Sequence, residues 1–271
     1  MAKDKNIQLY CFGSGSSGNC YYLKIGSTGI IIDVGISHRK LKKYFGDYGL
    51  SMAEIKAILV SHSHTDHVRA VGAFSTTLGI PVYTSQQVHE GMERNFLMAK
   101  KVLRQYKQTV QHDTPFNIDD VQITAFPVPH DSNGNNGYLI QWAEGTLCFL
   151  TDVGAVTPEI INYVSQAEHL IVEANYDDTM LENGPYSEFL KRRIRSGSGH
   201  LCNTLTAQLI TQYASPNIKN IWLCHLSQEN NTPEVAVETI TAKCLQSDRC
   251  KLHNVPIVAL KRTTPQSFDL K

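Results

Sequence analysis

The stretch Ser61-His62-Ser63-His64-Thr65-Asp66-His67 decides how the rest of the chain is read. It follows the apolar run Ala57-Ile58-Leu59-Val60, which reads as a buried strand. It precedes an apolar pattern that suits a helix from Val68 to Gly79. Four potential metal ligands therefore fall on the turn between a strand end and a helix start. Imidazole and carboxylate ligands suit zinc, and also manganese or iron. The spacing differs from that of two histidines one turn apart on a single helix face. On an extended segment residues i and i+2 point the same way, so His62 and His64 can share one metal. Asp66 and His67, where the chain begins to turn, can face a second. The plain alternative is a solvated histidine-rich loop, which rarely produces three histidines and an aspartate at this spacing directly after a strand.

Working outward, the same design recurs. Ile30-Ile31-Ile32-Asp33-Val34-Gly35 is an apolar strand with aspartate at its tip, and Val121–Phe126 runs through two prolines to His130-Asp131. Leu147-Cys148-Phe149-Leu150-Thr151 ends in Asp152, Leu170-Ile171-Val172 in Glu173-Ala174-Asn175, and Ile221-Trp222-Leu223-Cys224 in His225. Asp33 taken alone fits a tight turn. Asp152 taken alone fits a helix cap, although Thr157-Pro158 looks like the actual helix start.

Together these strand ends resemble the motifs of the metallo-β-lactamase superfamily, from Cys11 to Ser227. The resemblance implies an α/β fold, a four-layer αββα sandwich using residues 1–271 as one domain. It implies two divalent metal ions (Zn, Mn or Fe), one on His62, His64 and His130, the other on Asp66, His67 and His225, with Asp152 bridging them. Asp33 would sit behind the histidines as an acceptor, and Asp131 would support its loop. Two metals about 3.5–4 Å apart can bind a hydroxide and clamp a phosphoryl oxygen, lowering the pKa of bound water from about 16 to about 7. Asp66 could also orient that hydroxide.

Two further stretches narrow the branch. Glu173-Ala174-Asn175, followed downstream by Gly199-His200-Leu201-Cys202-Asn203-Thr204, resembles the Glu and His pair of nucleic-acid-processing members such as tRNase Z. That implies a proton relay in which Glu173 orients His200, and His200 protonates a leaving oxygen. A buried Glu tied to backbone and a helix-leading His is the alternative. Gly13-Ser14-Gly15-Ser16-Ser17-Gly18-Asn19-Cys20 lacks the Lys-Ser/Thr of a P-loop and reads as a hairpin turn. It resembles the opening of the YycJ/WalJ-like branch, which implies 5′-to-3′ exonuclease action on double-stranded DNA. A flavo-diiron protein would carry Glu in place of His64. A β-CASP nuclease would need a domain between Asp152 and His225, where the gap is too short. The competing readings are a small-molecule hydrolase of the same fold (cyclic-phosphate diesterase, lactonase or thioesterase) and a non-catalytic scaffold.

Composition bounds the rest. The 271 residues carry 25 basic and 25 acidic side chains, so the net charge does not advertise nucleic-acid binding. Two local basic stretches are candidate phosphate contacts: Lys100–Lys107, on a helix expected over Gln86–Tyr106, and Lys191-Arg192-Arg193-Ile194-Arg195. No window reaches the ~18 apolar residues of a membrane span, and Met1–Asn6 lacks the apolar core of a signal peptide. Seven scattered cysteines without a C-x-x-C pair argue against a disulfide framework and for a reducing, cytoplasmic setting. His89 and His112 read as surface residues, and His253 fits no motif. A helix capped by Ser37, an amphipathic helix over Thr232–Leu245 and a last strand over Val255–Ala259 are also expected, with Pro256 limiting that strand to an edge or a strand start.

Overall fold

The structure, a computed structural model, describes residues 7–98, 100–248 and 250–270. Met1–Asn6, read above for targeting, and the side chain of Cys250 lie outside the described residues. Contacts divide the chain into two compact units. One runs to Asp120 and takes in Ser132–Asn135 and the stretch from Lys261; the other comprises Val121–Asp131 and Asn136–Leu260.

In the first unit, β1 (Ile7–Gly13), β2 (Cys20–Ile25) and β3 (Thr28–Ile32) form an antiparallel meander. Then β4 (Ile55–Leu59), β5 (Val82–Thr84) and β6 (Lys107–Thr109) add in parallel. A short strand, β7 (Phe116–Ile118), follows. Helices α1 (His38–Asp47), α2 (Thr65–Val68), α3 (Val71–Leu78) and α4 (Gln86–Arg94) make the connections. Parallel strands need such crossovers. Ser37 caps α1 by accepting from Lys40 N at 3.3 Å, as its position before the helical pattern predicts. The core of this unit holds an aromatic cluster: Phe45 of α1 packs on Tyr22 and Phe12, with ring centroids 4.9 and 5.6 Å apart. Such pairs contribute about 0.5–1.5 kcal/mol beyond simple burial.

The second unit repeats the plan. β8 (Val121–Pro127), β9 (Asn136–Trp142) and β10 (Gly145–Phe149) are antiparallel. β11 (His169–Glu173), β12 (Asn220–Cys224) and β13 (Ile257–Ala259) continue in parallel from β10. Helices α5 (Pro158–Val164), α6 (Asp178–Asn183), α7 (Glu188–Arg195), α8 (Asn203–Tyr213) and α9 (Pro233–Leu245) belong to it. Ala236, Ile240 and Cys244 of α9 recur every fourth residue and are buried in the unit's core. The strand order of the first sheet is β14-β1-β2-β3-β4-β5-β6, and the strands of the second unit lie in the order β13-β12-β11-β10-β9-β8.

Several expectations need correction. The helix expected over Gln86–Tyr106 ends at Arg94, because Asn95 turns its side chain to a distant backbone carbonyl instead of continuing the helix. The helix expected from Val68 is two pieces, α2 and α3. Between them Ala70 N donates to Val34 O, a bond across the fold that displaces a helical one. The strand at Ile257–Ala259 is an edge strand, as Pro256 requires, but it is not the last: β14 (Gln266–Asp269) pairs antiparallel with β1. His89 is buried, its Nε2 facing Gln108 O at 3.2 Å, because it lies on the inner side of α4. Burial lowers its pKa. The six cysteines with described side chains are buried thiols. Among the described residues no helix is long and apolar enough to cross a membrane.

Candidate functional site

Each strand-end motif sits at the carboxyl end of a strand, the place where open α/β sheets present their functional loops. Asp33 follows β3, Asp152 follows β10 and His225 follows β12. All three hold left-handed backbone conformations, with φ of 59°, 54° and 54°. Non-glycine residues seldom do so, and when they do the surrounding bonds must over-determine them.

In the first unit the loop after β4 carries His62 and His64, while Asp66 and His67 lie in the single turn of α2. His62 Nε2 and His64 Nδ1 are 3.1 Å apart, the convergence expected of an i, i+2 pair on extended backbone. The wholly buried Asp33 organises the loop. Its Oδ1 accepts from Ser61 N at 2.8 Å, and its Oδ2 accepts from Ser61 Oγ and His67 Nδ1, both at 2.7 Å. The proton of His67 is therefore on Nδ1 and its lone pair on Nε2, the arrangement by which carboxylate-backed histidines ligate metals. Gly35 explains the Asp-x-Gly spacing: a Cβ there would lie 1.6 Å from Asp66 O.

Asn19, in the Gly/Ser turn, joins this network. Its Oδ1 accepts from Gly15 N at 2.8 Å, which turns Nδ2 to His67 Nε2 at 2.8 Å and toward Asp66 Oδ2 at 3.4 Å. Reading the turn as a hairpin alone misses this role. The signal was present in an asparagine among small residues.

The second unit gathers His130, Asp152, Glu173, His200 and His225. His130 Nδ1 donates to Gly199 O at 3.0 Å, leaving the lone pair on Nε2, which faces Asp152 Oδ1 at 3.7 Å. Asp152 Oδ1 also lies 3.4 Å from His225 Nδ1 and 3.8 Å from His200 Nδ1, while Oδ2 accepts from Thr151 Oγ1 at 2.7 Å. Ligand atoms of Asp152, Glu173, His200 and His225 all lie within 4.8 Å of one another. Two carboxylates and several imidazoles converging at such separations form a donor set that fits a divalent cation.

Glu173 is the buried anchor of this set. Oε1 lies 2.8 Å from His200 Nδ1 and 3.1 Å from His225 Nδ1. Oε2 accepts from Val153 N and Leu201 N at 2.8 and 3.0 Å. Burial pushes its pKa up, but the His200 charge and the two imidazole hydrogen bonds outweigh that, so Glu173 titrates below the usual range. Burial pulls His200 down, yet the Glu173 charge and hydrogen bond, with Asp152, raise it above an ordinary histidine. Asn175, which no motif marks by itself, also holds this set: its Nδ2 donates to His225 O at 2.8 Å. Asp131 pairs with Arg193 at 2.5 Å, and its other oxygen lies 3.3 Å from His130 Nε2.

The basic stretches are largely committed elsewhere. Lys101 Nζ donates to Met92 O and Asn95 O, and Lys107 pairs with Glu93. The Lys100–Lys107 stretch is not the helix face expected. In α7, Lys191 is buried against Glu182 O and Arg195 pairs with Glu182.

A family model described as a beta-lactamase superfamily domain matches residues 28–225. The chain is 31% identical over 235 residues to the exodeoxyribonuclease WalJ of Streptococcus pneumoniae serotype 2, covering 87% of each. It is 29% identical over 230 residues to the exodeoxyribonuclease YycJ of Bacillus anthracis, covering 85% of this chain and 86% of that one. Among solved structures, the metallo-beta-lactamase fold protein YhfI from Bacillus subtilis superposes with a TM-score of 0.70 at 15% identity, over 97% of this chain and all of that one.

Proposed function

The chain belongs to the β-lactamase superfamily, with its metallo-β-lactamase α/β sandwich fold, and from that premise we propose that it is a two-metal 5′-to-3′ exonuclease acting on double-stranded DNA. The observation that carries the reading is the Glu173–His200 contact of 2.8 Å beside Asp152. It couples a proton donor to a candidate metal ligand, which phosphodiester cleavage can use. Curated relatives named as exodeoxyribonucleases, matching most of the chain, support the substrate class.

In this reading His62, His64, Asp66, His67, His130, Asp152 and His225 hold two divalent metals. When bound, the metals supply water activation and neutralise phosphoryl charge. The chain's own residues do the remainder. Asp33 and Glu173 hold His67 and His225 by Nδ1, and the Gly199 carbonyl holds His130 in the same way. Asp66 orients the attacking water. Glu173 keeps His200 protonated, with Nδ1–H on the carboxylate, so that Nε2–H can pass its proton to the leaving 3′-oxygen. The protein works as a soluble cytoplasmic enzyme.

The test uses manganese-loaded protein and internally labelled double-stranded DNA with either a 5′-phosphate or a 5′-hydroxyl, with Asp152→Ala as the blank. Mononucleotides released progressively from the 5′ end are the expected product. Intact DNA from a metal-loaded protein would overturn the reading and turn the search to small phosphodiesters.

A further inference from the structure

The loop after α4 exposes large apolar side chains. Phe96 is 88% exposed and Leu97 more than half exposed, in a turn that also places Leu103 at the surface. An aromatic ring this exposed gains little from packing within the chain.

This loop is fixed on both sides. Asn95 Nδ2 donates to Ser63 O at 2.8 Å, the carbonyl between His62 and His64, and approaches Thr65 Oγ1 at 3.2 Å. Asn95 Oδ1 accepts from Leu97 N at 3.0 Å, which shapes the turn that presents Phe96. α4 also packs closely on the Ser63 side chain, since a Cβ on Gly91 would lie 2.4 Å from Ser63 Oγ. Beyond Phe96, Met98 and Val102 are buried in the core of the unit and Lys101 Nζ ties back to Asn95 O. Phe96 is thus held one residue from a side chain that touches the histidine loop.

The surroundings are basic. Arg94, Lys100 and Arg104 are exposed, and none makes an ion pair among the described residues, whereas Lys101 is spent on two backbone carbonyls and Lys107 on Glu93. An exposed aromatic interleaved with uncommitted cations is the pattern of sequence-tolerant nucleic-acid binding: bases stack on the ring and phosphates meet the cations.

We propose that Phe96 is a stacking platform for a nucleobase at the end of the polynucleotide, with Arg94, Lys100 and Arg104 contacting its phosphates. The inference rests on the nuclease reading and assigns a base-binding subsite beside the His62–His67 loop. The nucleobase is favoured over a protein partner by the charge complementarity and by the tie to Ser63.

The experiment measures binding of the full chain to duplex DNA whose terminal nucleotides are either intact or abasic. The wild-type protein should favour the intact end by about 5-fold to 100-fold. Phe96→Ala should lose that preference and raise KM on intact DNA, keeping its metal content and thermal midpoint, and Phe96→Trp should restore it. Equal affinity of wild type and Phe96→Ala for both ends would overturn the proposal. So would sedimentation in which Phe96→Ala dissociates a dimer, because the ring would then cover a second copy of the chain. A metal-loaded wild type that binds no DNA would sink the nuclease reading itself, an outcome distinct from a nuclease indifferent to Phe96.

Discussion

Oε1 of Glu173 lies 2.8 Å from Nδ1 of His200, and the same oxygen lies 3.1 Å from Nδ1 of His225. One buried carboxylate therefore orients both a candidate proton donor and a candidate metal ligand. His200→Ala should lower kcat on DNA by about 10²- to 10⁴-fold with metal content intact. Glu173→Gln should disturb both functions, because an amide cannot accept at both ends as the carboxylate does. Metal analysis beside single-turnover rates separates the two. A His200→Ala protein with wild-type kcat would remove the relay.

Asp33 satisfies three buried donors, Ser61 N, Ser61 Oγ and His67 Nδ1. Asp33→Ala should cost about 3 kcal/mol in urea unfolding and weaken metal binding by about 10- to 100-fold. Asp33→Asn, which tolerates the left-handed backbone, should recover part of the stability and less of the metal affinity. Chelator competition reads the second quantity, and unchanged affinity in both variants would leave Asp33 a turn residue only.

Within α7, Arg192 is exposed and among the described residues its Nε bonds to Glu188 O alone, whereas Arg195 is paired with Glu182 and Arg193 with Asp131. Arg192→Ala should reduce the salt slope of DNA binding by about one phosphate contact. Arg195→Ala should leave it unaltered. Equal slopes for wild type and Arg192→Ala would place the phosphate contacts on other elements.

His169 stacks with Trp142 and Trp222, ring centroids 6.0 Å away in each case. Burial, aided by Lys219, pulls its pKa from 6.5 down to about 4. The unfolded chain therefore binds the proton first as pH falls. Stability from this group is complete above about pH 6.5, declines as pH drops toward 4, and the total loss is about 3 kcal/mol. Unfolding midpoints of His169→Phe should show a shallower decline across that window than wild type.

Order along the chain was enough to identify the apolar strands and the polar residue at each tip, because strand burial and turn chemistry are local properties of neighbouring residues. The i, i+2 convergence of His62 and His64 follows from backbone geometry alone. The Thr157 and Thr232 caps could also be read directly. The family's motifs carried the ligand grouping and the Glu173–His200 pairing further than spacing could.

What the linear order did not reveal depends on partners distant in sequence. The helix from Gln86 stops where it does because Asn95 bonds to Ser63 O. β14 exists because β1 offers it an edge. Arg195 and Arg193 of α7 are paired with Glu182 and Asp131, which lie 13 and 62 residues away in the chain. Glu173 reaches His225 because β11 and β12 are adjacent in parallel register, with Glu173 opposite Cys224, and it reaches His200 because Leu201 N donates to its other oxygen. A hydrogen bond or ion pair is settled by which groups packing brings within about 3 Å, and residues far apart in the chain meet only once the sheets have formed.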